Sequence, residues 1–173
     1  MLTDEATRWI NDHVPGWEHL PDREKAEIVS FSILWSLFEA RVFDCEIASS
    51  DAFWEKVDEW NGAGMLDPNP FQQEIDYFRD RYITNGDTNR HFGHLNIRRT
   101  DKEELASRVL AGELDDIENQ VATALFIVYR YRNNFFHGEK WTYEFEGQLE
   151  NFSTANQILM EAIEIDSRAQ NAV

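Results

Sequence analysis

Proline and glycine, the residues that most readily interrupt regular backbone, are absent from three long stretches of this chain: 22–44, 115–137 and 148–173. All four prolines (Pro15, Pro21, Pro68, Pro70) fall within the first 70 residues. Stretches this long without a breaker predict helices rather than strands, and the apolar spacing agrees. Ile28, Phe31, Leu34, Trp35, Phe38 and Val42 recur every three or four residues, as do Ile117, Val121, Ala124, Leu125, Val128, Tyr131 and Phe135, each set predicting a helix that buries one side. Phe152, Ala155, Ile158, Leu159, Ala162 and Ile165 form a third such face. Pro21 suits a first helical turn, with Asp22 and Glu24 favourable to the dipole there, and Asp115-Asp116 reads as another helix start.

Shorter elements are expected between the first two long helices. Ser50-Asp51 can cap a helix through Trp54, Val57 and Trp60 that stops at Gly62 and Gly64. Another follows Asn69-Pro70 through Phe71, Ile75 and Phe78, and a third carries Leu105, Val109 and Leu110, capped by Thr100 or Asp101 and stopped by Gly112. The string 84–100 lacks helical periodicity, is rich in turn formers and reads as a long loop. The expectation is an all-α bundle forming one domain, 1–173, with long core helices at about 22–44, 115–137 and 148–168 and an inserted region at about 45–114.

Charge narrows the partners. The 33 acidic and 16 basic residues give a net charge of -17, which opposes long-range attraction to nucleic acid or anionic lipid. The imbalance is uneven: residues 1–60 hold 14 acids and 5 bases, whereas 79–109 hold 7 bases and 5 acids, and 130–140 hold 3 bases and 1 acid. A polyanion is therefore expected to approach the last two segments, through Arg98, Arg99, Arg130 and Lys140. No apolar run is long enough for a membrane span and the N-terminus does not read as a signal peptide, so a cytoplasmic protein is expected. The single cysteine, Cys45, offers neither an internal disulfide nor a thiolate cluster. His91 and His94 find no third ligand at suitable spacing, and no metal or cofactor is expected. The six tryptophans read as core or turn-edge residues rather than base-stacking platforms.

The segment YRYRNNFFHGEKW, 129–141, ends a core helix with polar residues where the apolar stripe should continue. Arg132 and His137 stand five apart, roughly 140° around an ideal helix. They converge only if the helix ends or bends near Asn134, or if a second copy brings its own pair; Asn133 and Asn134 are weak helix formers and Gly138 suits a left-handed stop. An imidazole, with a pKa of about 6.5, can take a proton from a 2′-hydroxyl at neutral pH, and a guanidinium is a permanent planar donor for phosphate. The competing structural reading is a histidine placed by the helix dipole and an arginine paired with a carboxylate such as Glu39.

Arg132-Asn-Asn-Phe-Phe-His137 resembles the Arg-x4-6-His motif of the HEPN superfamily, including the polar residue directly after the arginine. Residues 115–141 carry nearly all of the resemblance; 22–44, with Phe38-Glu39, fits the bundle's other long helix loosely, and 45–114 aligns with no pattern. The resemblance implies a HEPN-like bundle whose two copies place their motifs in one cleft and, in active members, metal-independent RNA cleavage. On that basis Arg132 and His137 are the candidate catalytic residues, and Asn133, Glu39 and Tyr129 (or Tyr131, as a base-stacking ring) the supporting ones. The expected partners are RNA, a second copy and, for a toxin or defence component, a neutralising protein. The alternatives are a non-catalytic HEPN-like domain that binds RNA, nucleotide or protein, and a plain helical scaffold.

Overall fold

In the computed structural model, residues 3–97, 102–136 and 148–172 are described. They form α1 (Asp4–His13), α2 (Asp22–Val42), α3 (Asp51–Gly62), α4 (Gln72–Tyr82), α5 (Arg90–Gly93), α6 (Glu103–Leu110), α7 (Ile117–Phe136) and α8 (Leu149–Asn171), with a 3-10 turn at Trp17–His19. A two-stranded hairpin, β1 (Ile83–Thr84) and β2 (Asp87–Thr88), lies between α4 and α5. The all-helical expectation holds apart from this hairpin. No described helix is long and apolar enough to cross a membrane.

The three long helices stand where the missing breakers place them. Asp116 caps α7, its Oδ1 accepting from Asn119 N at 2.9 Å, as the paired aspartates suggest. Glu24 of α2 plays a similar part between helices: its Oε1 accepts from Gln148 N at 3.0 Å, just before α8. Asn156 of α8 donates to the Glu27 carbonyl and carboxylate at 3.0 and 2.7 Å, so α2 and α8 lie side by side. Helix α7 runs antiparallel to α2, with Tyr129 beside Trp35 (6.0 Å between centroids) and Phe135 beside Phe31 (6.3 Å).

One expectation fails for α7, which does not bury a single side. Every residue from Gln120 to Val128 is buried, including Ala122, Phe126 and Ile127, which lie off the predicted stripe. The helix is surrounded: Trp54 of α3 meets Phe126 (6.0 Å), Phe78 of α4 meets Tyr131 (6.2 Å), and Phe152 of α8 meets Phe135 (5.9 Å). An all-round apolar helix is the core of the bundle rather than a facet of it. Within it, Thr123 is wholly buried and its hydroxyl has no hydrogen-bond partner. Thr123→Val keeps the shape and removes a desolvated polar group, so it should raise unfolding free energy by about 1 kcal/mol. Urea unfolding tests this, and a loss of stability would show that the hydroxyl is used.

The 84–100 string is not simply a loop. Asn85 and Gly86 both adopt positive φ (55° and 88°), the two-residue turn that joins antiparallel strands, and Ile83 pairs with Thr88 and Thr84 with Asp87. The Asn-Gly dipeptide was the local signal for it. Asn89 then caps α5, accepting from His91 N and Phe92 N at 2.9 and 3.4 Å.

Candidate active site at the end of the central helix

Successive residues in the last two turns of α7 point to different parts of the bundle. Tyr131 points inward: its hydroxyl meets that of Tyr82 and donates to Asn151 Oδ1 at 3.0 Å, which also accepts from Tyr77 at 2.8 Å. Burial pushes both the Tyr82 and Tyr131 phenols well up, so both stay protonated. Tyr131 therefore offers no ring for stacking a base. Tyr129 is half-buried, with its ring against Trp35 and, at 5.3 Å, Phe53.

Arg130 and Asn134, one turn apart, face the segment after α5. Arg130 Nε donates to the Leu95 carbonyl at 3.1 Å and Nη2 donates to that of Asn96. Asn134 Nδ2 donates to the His94 and Leu95 carbonyls at 3.0 and 3.3 Å. These bonds fasten the 90s segment to α7. They also correct the expectation that Arg130 contacts a polyanion, because its guanidinium is buried and committed to backbone oxygen. With its side chain engaged elsewhere, Asn134 does not compete for its own backbone, and α7 runs through it to Phe136, where the described residues pause.

Arg132 lies about 200° around the helix from Arg130, on the side facing α2. Its Cζ stands 5.8 Å from the Trp35 ring centroid and 5.3 Å from that of Phe136, and Nη1 donates to Asn133 Oδ1 at 3.1 Å. Nε is buried and unpartnered. Glu39 does not pair with Arg132; it accepts from Trp35 Nε1 at 3.2 Å, steadying the ring that the guanidinium packs against. Glu39 thus reaches Arg132 only through Trp35, and Asn133 touches it directly. Trp35 and Phe136 were not singled out from the sequence. Trp35 was hidden within the apolar stripe of α2, and its only available signal was its four-residue spacing from Glu39.

His137, Lys140, Arg98 and Arg99 lie outside the described residues. His91 and His94 rings meet edge to face at 6.1 Å, and among the described residues no third histidine, cysteine or carboxylate completes a metal cluster. Elsewhere, an open groove of about 540 Å³ between α4 and α8 is lined by Glu74, Glu161 and Glu164. Burial, with the nearby Glu161 carboxylate adding to it, pushes Glu74 up, and the lining holds three acids and no base, which does not suit phosphate. Comparison with known proteins finds no matching family model, curated protein or solved structure.

Proposed function

We propose that the chain is a HEPN-type, metal-independent endoribonuclease, a toxin or defence component that cleaves RNA through Arg132 and His137 in a cleft between two copies. The observation that carries this reading is the state of Arg132. Its guanidinium is steadied by two rings and Asn133, is neutralised by no described carboxylate, and retains a buried donor with no acceptor. A buried donor without a partner costs about 1–3 kcal/mol, and such a cost is commonly kept for function.

In this mechanism the His137 imidazole removes the proton from a 2′-hydroxyl, and the freed oxygen attacks the adjacent phosphorus. The bond to the 5′-oxygen breaks as that oxygen takes up a proton, leaving a 2′,3′-cyclic phosphate and a 5′-hydroxyl. Arg132 donates to the phosphate oxygens as negative charge concentrates on them. The test is cleavage of RNA by purified protein in EDTA, with the product ends identified. Cyclic phosphate ends support the reading, whereas no cleavage, or cleavage only with added metal, overturns it. The net charge of -17 favours a second reading, a HEPN-like domain that binds RNA, nucleotide or protein without cutting. That reading survives a negative cleavage assay.

The second copy has a suitable surface to meet. Ile33 and Leu37, one turn apart on α2, are 65% and 37% exposed, and Phe136 is 53% exposed beside Arg132. Ala26, Ser30 and Ala40 extend the α2 stripe at alternating spacings of four and three. Sedimentation at tens of micromolar should show a dimer for the wild type and a monomer for Ile33→Asp/Leu37→Asp. A dimer unchanged by the double substitution would place the interface elsewhere, and a monomeric wild type would remove the shared cleft.

A further inference from the structure

A second cluster of bases lies where α5 meets the end of α4. Asn89 joins the two elements: its Nδ2 donates to the Arg81 carbonyl at 2.9 Å while its Oδ1 accepts from the amides that start α5. Phe92 anchors α5 from beneath, its ring 6.1 Å from that of Tyr82. With Phe92 buried, Arg90 and His94 are exposed and His91 is half-exposed. Arg81 lies behind them, half-buried, with Cζ 6.0 Å from the Tyr82 centroid and a buried Nε that has no hydrogen-bond partner.

In a chain of net charge -17, none of Arg81, Arg90, His91 or His94 takes part in a described ion pair. Nearby Arg79, by contrast, is matched by Asp76 at 3.2 Å. Burial and then the neighbouring Arg81, Arg90 and His94 lower the His91 pKa. Uncompensated like charge held on a fixed segment is unfavourable unless an anion joins it. The same segment continues into Leu95 and Asn96, which Arg130 fastens to the motif helix.

We propose that Arg90, His91 and His94, backed by Arg81, bind the phosphate groups of an RNA strand; the assignment rests on the RNA reading above. Guanidinium and imidazole N–H groups suit phosphate oxygens, and Arg130 and Asn134 hold the patch's segment against α7, the helix that carries Arg132 on another side. The probe is a short single-stranded RNA with 2′-O-methyl groups, which block the attacking hydroxyl so that binding is read without cleavage. Arg90→Gln/His94→Gln should weaken binding several-fold and flatten the slope of log K against log salt by about 0.7 per lost contact. Arg90→Lys should retain most of the wild-type slope. A matching thermal melt shows that the variant is folded, since both side chains are exposed.

If the Gln variant binds with unchanged affinity and slope, or the wild type does not bind this RNA, the patch is overturned. If binding depends on the patch but unmodified RNA is never cut, the patch stands and the catalytic reading falls. If cutting occurs, a dinucleotide too short to reach the patch should be cleaved equally well by wild type and variant. A comparable loss on the dinucleotide would overturn the proposal by placing these residues at the reaction itself.

Discussion

Arg132→Ala should lower metal-independent RNA cleavage by at least about two orders of magnitude, the usual cost of removing a donor that stabilises developing charge. The expectation follows from what surrounds the guanidinium: two rings, one asparagine oxygen and no described carboxylate. Because the side chain closes no described ion pair, its loss should change unfolding free energy by about 1 kcal/mol or less, the scale of its ring contacts. Arg132→Lys should not rescue the rate fully, since an ammonium cannot present a planar fork to phosphate. His137→Ala should bring a similar loss of rate by removing the base. The measurement is initial rate on defined RNA with chelator present, alongside a urea unfolding curve. An active Arg132→Ala enzyme, or one that unfolds before it loses activity, would sink the catalytic assignment.

Arg130→Ala should do the reverse. Two residues away on the same helix, this guanidinium is 7% exposed and donates to the Leu95 and Asn96 carbonyls. Truncation removes two charge-assisted hydrogen bonds and leaves the Leu95 carbonyl with Asn134 as its described donor; each such bond is worth roughly 1.5–3 kcal/mol, so unfolding free energy should fall by roughly 2–4 kcal/mol. Amide exchange should rise first in the 89–97 segment, where the bonds from Asn134 are the described ones that would still hold the backbone to α7. A change below about 0.5 kcal/mol would show that the segment does not depend on Arg130. The two arginines therefore separate stability from activity on one helix.

The long helices were legible because their signals are local. An absence of breakers, a 3.6-residue apolar period and capping aspartates are read within a few turns of chain, and α2, α7 and α8 begin or end within a few residues of the expected bounds. The Asn85-Gly86 hairpin was equally local, but its two-residue strands are too short to show an alternating pattern. Periodicity also misjudged α7. A stripe reports the residues that fit one face, and only packing by α3, α4, α6 and α8 reveals that Phe126 and Ile127 are buried on the others.

The candidate site divides in the same way. By itself, the sequence determined that an arginine, an asparagine and a histidine follow the apolar stripe of the second long helix in the order Arg132, Asn133, His137, and that bases gather in 79–109 and 130–140. Tertiary structure alone decided that Arg130 is consumed by carbonyls 34 and 35 residues away, that Glu39 goes to Trp35, and that Arg132 keeps an unspent donor. The physical reason is that charge and periodicity are properties of the local chain. Whether a guanidinium is spent or free depends on which distant carbonyls, rings and carboxylates the fold brings within about 3–6 Å of it.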